Sequence, residues 1–164
     1  MRARGFLGAL AKNGVVLPES MVINAGFDAA AGPALRRVLL ARRRRPTAIF
    51  AVDDYWVIGV MGVIREEELE VGKDVAIAGY NDISIADDLV VPLSSVRVPI
   101  DVMGRTAVEM ILARMSGDPV GSRRLTPFLV AYDSSRHLPG ARYRRPARNP
   151  RVAPGSALKT PSVA

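Results

Sequence analysis

Cysteine is absent from the 164 residues, which excludes disulfides, cysteine-ligated metals and thiol nucleophiles. Histidine occurs once, at His137, beside a stretch rich in proline and arginine. That removes the commonest general base and most transition-metal sites, and with them hydrolysis by a Ser-His-Asp arrangement. Long apolar runs are also missing: Tyr55 to Ile64 is the longest uncharged one, well short of the roughly 20 residues a bilayer span needs. The start, Met1-Arg2-Ala3-Arg4-Gly5-Phe6, has no apolar core of the kind a secretory signal carries. The expectation is a soluble, cytoplasmic chain without cofactor or metal. Acidic residues are absent from 137–164, which holds Arg142, Arg144, Arg145, Arg148, Arg151 and Lys159 together with five prolines. Almost the whole net charge of +7 therefore sits in a segment that reads as a disordered tail. Its basicity suits phosphates, but solvated charge runs of this kind commonly have no specific partner.

What remains is long enough for one ordinary domain with a core of its own. Its pattern alternates between two periods. Arg4 to Lys12 reads as a helix ended by Asn13-Gly14, Met21 to Asn24 as a short strand, and Ala30 to Arg43 as a second helix stopped by Pro46. Thr47 to Val52 is a continuous apolar strand, as expected where both faces of a parallel sheet are covered. A helix over Tyr55 to Leu69 follows, then strands at Asp74 to Tyr80 and Ser94 to Val98. A long helix to Met115 starts with Pro99 at its first position, and Leu125 to Tyr132 is a last extended segment. Alternating strands and helices with short links predict an α/β fold, a three-layer αβα sandwich on a mostly parallel sheet.

In such sheets ligands gather at the carboxyl ends of the strands. Asp53 and Asp54 stand there after one strand, and Asn81 and Asp82 after the next, so both pairs are expected to face one crevice. Carboxylates accept from hydroxyls and an amide both donates and accepts, which suits a neutral polyhydroxylated ligand. Phe27 or Tyr80 is available to cover the apolar face of a sugar ring. Simpler roles compete. Asp54 is well placed to cap the following helix, leaving Asp53 as the contact, since capping needs one residue only. Asn81-Asp82 also suits a plain turn. Trp56 and Met61 read as packing or subunit contacts rather than ligand contacts. A paired-carboxylate glycosidase is conceivable, but nothing distinguishes an acid from a base.

The series "RPTAIFAVDDYWVIGVMGVIREEELEVGKDVAIAGYNDI", "PLSSVRVPIDVMGRTAVEMIL" and "LVAYDSSR" resembles the effector-binding core of LacI/GalR transcriptional regulators, from Arg2 to about Arg136. The fold implied is the periplasmic binding protein-like one, incomplete and mainly its C-terminal subdomain: 1–136 a partial effector domain, 137–164 a tail. Residues 99–116 form a helix that in the family packs on the other subdomain, so Ile100, Met103, Ala107, Met110 and Ile111 are expected to lie exposed. The strand that precedes the R-x-x-G helix in the family is also missing.

The resemblance implies a regulator that senses a sugar or similar metabolite without being an enzyme. Operator binding is assigned to a helix-turn-helix segment that these residues lack. It places ligand contacts at Arg2, Phe27, Asp53 and Asn81, with Asp54 and Asp82 as caps or supporting residues. Compared with the family's usual loops, the amide and carboxylate look exchanged between 53 and 81. It implies a homodimer through Ile58, Met61 and Leu89, with no membrane partner. A sugar-binding protein of a transporter and a non-functional gene fragment are the alternatives.

Overall fold

The computed structural model describes residues 2–24, 35–36 and 45–136. Phe27, most of the helix expected over 30–43, and the basic tail lie outside the described residues. The first helix, α1, spans Arg2–Lys12 and closes on Gly14, whose φ of 74° lies in the left-handed region that glycine enters without Cβ strain. Asn13 reinforces this end, donating from Nδ2 to the Ala9 carbonyl at 2.9 Å.

Strands β1 (Ala48–Phe50), β2 (Ala76–Asn81), β3 (Ser94–Arg97) and β4 (Phe128–Val130) form one sheet in that spatial order. β1, β2 and β3 run parallel, with Phe50 opposite Ala78 and Gly79 opposite Ser95, while β4 returns antiparallel to β3. Helix α2 (Asp54–Glu66) is the crossover from β1 to β2. Helix α3 (Ile100–Met115) joins β3 to β4.

Strand alternation decides which helix covers which face. Ile77 and Gly79 point toward α2, whose Val57, Val60, Val63 and Ile64 are buried with Ile77, Leu93, Val75 and Ala86 in one core. Each such aliphatic side chain contributes about 1.5–3 kcal/mol on burial. Phe50 and Tyr80 point the other way, toward α1. There the Phe6 ring stacks on Phe50 with centroids 4.6 Å apart and planes 15° from parallel. Helices on both faces of a mostly parallel sheet make the three layers that the sequence pattern predicts.

Three local expectations are corrected. Residues 22–24 form no strand: a short 3-10 turn, Glu19–Met21, precedes them, and no described strand gives their backbone a ladder partner. β1 is shorter than the apolar run around it, and Ala48 is exposed rather than covered, because its outer side has no described neighbour. Pro99 stands at the N-cap of α3 with φ −75°, one residue earlier than expected, and its carbonyl accepts from Met103 N at 2.9 Å.

α3 itself has no buried residue. Ile100, Met103 and Ile111 are all about half exposed. A shallow apolar groove runs along it past Ala107, Met110, Ile111, Met115 and Val120.

The serines of the two late motifs tie the sheet together. Ser134 Oγ donates to the Ile77 carbonyl at 2.7 Å and accepts from Ser94 N at 2.8 Å. Ser94 Oγ in turn accepts from Tyr132 N at 2.7 Å. These buried bonds fasten the chain after β4 across β2 and β3.

Candidate functional site

Parallel pairing of β1 and β2 puts their carboxyl ends side by side, and α1 begins above the same edge. Three side chains predicted from the sequence meet there. Arg2 Nη1 donates to the Val52 carbonyl at 2.8 Å and Nη2 to Asn81 Oδ1 at 3.1 Å. Asn81 Nδ2 donates to Asp53 Oδ2 at 2.7 Å, and the Arg2 guanidinium lies 3.9 Å from that same oxygen. The Arg2 guanidinium also covers the Tyr80 ring, 4.3 Å from its centroid. One face of Tyr80 is thus occupied by the protein's own arginine, so the sequence expectation that Tyr80 covers a sugar ring needs its other face. Phe27, the alternative platform, lies outside the described residues.

The helix cap falls to Asp53 and not to Asp54, where the sequence suggests it. Asp53 is the N-cap of α2, extended at φ −155°, with Oδ1 accepting from Tyr55 N at 3.0 Å. Asp54 is the first helical residue and is fully buried, so capping is not its function. Its side chain turns under the sheet edge, where Oδ1 accepts from Ser95 Oγ at 2.8 Å and Oδ2 from Ile83 N at 3.0 Å. The reason is local. Only the residue before the helix has extended backbone that can turn its carboxylate back onto the second helical N–H. Asp53 still holds its second oxygen at the cluster, so one carboxylate caps and lines the crevice together.

Asp82 lies below Asn81. Its carboxylate pairs with Arg97 Nε, and its backbone N–H donates to Ser95 Oγ at 3.0 Å. Arg97 lies over the Phe128 ring, 5.7 Å from the centroid. Burial pushes the Asp82 carboxyl above its ordinary value, and the neighbouring Arg97 only partly offsets this. Asn81 and Asp82 both have positive φ, 113° and 54°. Conformations outside the favoured regions cost about 1–3 kcal/mol each and persist only where the surroundings impose them.

The supporting residues Ser95, Gly79 and Arg97 were not singled out by the sequence reading. Gly79 carried a signal in "AGYND", since a glycine inside a strand often marks close approach by another group. Among the described residues no group of three or more metal-ligating side chains occurs, and no helix is long and apolar enough to cross a membrane. The cluster alternates donors and acceptors: a guanidinium, an amide and a carboxylate within one edge. Groups of these types can donate to and accept from hydroxyls.

A mostly parallel sheet with helices on both faces and a polar cluster at its carboxyl edge defines an α/β domain of the periplasmic binding protein-like kind. The chain belongs to the periplasmic binding protein-like domain family, whose model matches residues 1–135, and within it to the LacI/GalR regulators. It is 29% identical over 137 residues to the ribose operon repressor of Escherichia coli, covering 82% of this chain and 42% of that protein. It is 34% identical over 103 residues to a lactose operon repressor of Rhizobium radiobacter, covering 63% of this chain and 91% of the relative. The solved complex of the transcriptional regulator CelR with cellobiose superposes with a TM-score of 0.72 at 27% identity, covering 81% of this chain and 41% of that one. The chain spans less than half the length of the ribose repressor it matches.

Proposed function

We propose that the chain is the ligand-sensing part of a LacI-type transcriptional regulator and that it binds a neutral, hydroxylated small molecule such as a sugar. The observation that carries this is the convergence of Arg2, Asp53 and Asn81 at the carboxyl edge of β1 and β2. The bound cellobiose in the similar CelR regulator supports the ligand class. Arg2 would fork onto ligand hydroxyls, Asp53 Oδ2 would accept from one, and Asn81 would donate to and accept from another.

In the whole regulator, ligand binding would shift a two-state equilibrium and so change affinity for an operator held elsewhere in the protein. On this reading the protein acts in the cytoplasm and without turnover. Association between copies through the surface that carries Ile58, Met61 and Leu89 accompanies the reading. Ile58 is 41% exposed, while Met61 and Leu89 are half-buried against the core. Light scattering that gives a monomer at micromolar concentration would remove that part.

The test of ligand binding is saturation-transfer NMR on the 164-residue chain with ribose, lactose and cellobiose. Transfer to at least one sugar, lost in Arg2→Ala, supports the reading. Equal transfer in the variant would sink it.

A further inference from the structure

We propose that Asp54 and Ser95 form a clamp that positions Asn81 for ligand contact, and that Gly79 is required for the clamp to close. This rests on the ligand-sensing reading for its purpose, but its geometry stands independently.

The loop after β2 must leave the sheet with two consecutive positive-φ residues, neither of them glycine. Their backbone would relax unless it were held, and the N–H groups of the second of them and of the residue after it are both held by buried side chains. Asp82 N donates to Ser95 Oγ, and Ile83 N donates to Asp54 Oδ2. The Ser95 hydroxyl can accept from Asp82 because its own hydrogen goes to Asp54, 2.8 Å from Oδ1 and 3.0 Å from Oδ2. A chain of three hydrogen bonds therefore fixes the turn to the first residue of α2 and to the middle of β3.

Asp54 and Ser95 are both fully buried, so the clamp itself cannot meet ligand. What it orients is Asn81, the residue just before the clamped amides. In this turn the Asn81 side chain bridges Arg2 Nη2 and Asp53 Oδ2. Gly79 faces Asp54 directly. A Cβ there would overlap Asp54 Oδ1 and stand 3.1 Å from its Cγ and 3.2 Å from Leu93 Cδ2. A side chain at 79 would have to displace the carboxylate that holds Ser95 Oγ and Ile83 N. Asp54 is thus a positioning residue acting through Asn81, and the absence of a side chain at 79 is part of the same device.

The experiment uses hydrogen exchange by NMR on the full chain, comparing wild type with Ser95→Ala, Ser95→Thr and Asp54→Asn. Removing the Ser95 hydroxyl is expected to speed exchange of the Asp82 backbone amide and the Asn81 side-chain amide about tenfold, the loss of one net hydrogen bond. The Ile77 backbone amide, in the same sheet, should change less than about twofold, and Ser95→Thr should restore the slow exchange. If Ser95→Ala fails to fold, Asp54→Asn is read at the same amides with the same expectation. Unchanged exchange at Asn81, or equal acceleration at Ile77 and Asn81, would overturn the clamp as a positioning device. Cellobiose titration of the same variants then addresses purpose. If wild type binds, Ser95→Ala should weaken binding about tenfold and Ser95→Thr should recover it. If wild type binds none of ribose, lactose or cellobiose, the functional reading fails, while exchange at Asn81 still decides the clamp.

Discussion

The buried carboxylate of Asp54 lies against the α-carbon of Gly79, so closely that no other residue type fits at position 79 without displacing it. This contact joins the start of α2 to the middle of β2, and β2 ends two residues later at Asn81. Packing of the core and shape of the site therefore depend on one and the same approach.

Gly79→Ala should accordingly destabilise the chain by about 3 kcal/mol, combining overpacking with displacement of a hydrogen-bonded buried carboxylate. Urea denaturation of the two proteins measures it. A loss under about 0.5 kcal/mol would mean that the carboxylate has another place to go.

Asp53 separates its two roles by substitution. Asp53→Asn keeps a capping oxygen and should change stability by less than about 0.5 kcal/mol, whereas Asp53→Ala should cost about 1 kcal/mol. Sugar binding, in contrast, should fall in both, because each removes the carboxylate that faces Asn81 Nδ2 and Arg2. Paired denaturation and titration curves check this, and a variant that loses stability without losing binding would make Asp53 a cap alone.

Asp82 gives a pH dependence with a definite sign. Its folded-state value is raised above the ordinary 3.8 by burial, against the opposing Arg97 and with help from Asp54 and Asp87. The fold thus prefers the protonated acid. The corresponding stability is fully present below pH 3.8 and is lost as pH rises through the raised value. Carbon-detected NMR of the Asp82 carboxyl should show a midpoint above 3.8, and wild type should lose stability relative to Asp82→Asn as pH rises through that midpoint. A midpoint below 3.8 would mean that the Arg97 pair outweighs burial.

α3 offers a contrast with the core. Ile111 is 59% exposed and Val57 fully buried. Ile111→Ala should therefore cost less than about 0.5 kcal/mol, and Val57→Ala about 2 kcal/mol. Equal costs would show that the apolar face of α3 is covered in solution.

Much of this was legible in the sequence because periodicity reports burial. The apolar run before Asp53, the helix pattern over Tyr55 to Leu69, and the glycine after Asn13 each point to an element that the structure contains. The convergence of Arg2, Asp53 and Asn81 was legible through the position of acidic and amide residues after strands and through the family resemblance. The division of labour between Asp53 and Asp54 was not. Both precede a helix, and one residue of register decides which carboxylate turns back to cap and which turns under the sheet. The strand expected over Met21 to Asn24 failed for a different reason: extended propensity needs a ladder partner, and the described sheet supplies none. Ser95 escaped notice because a serine in an apolar stretch looks the same whether it is a surface residue or a buried link between a carboxylate and an amide.

The central claim is that the edge formed by Arg2, Asp53 and Asn81 takes up a hydroxylated small molecule. Its most direct measurement is a two-dimensional NMR titration of the isotope-labelled chain with cellobiose, ribose and lactose, following the Arg2 guanidinium and the Asn81 side-chain amide. The account predicts saturable shifts at these two groups with at least one sugar, and none along α3. Shifts confined to α3, or no saturable shift at Arg2 and Asn81 with any of the three, would contradict it.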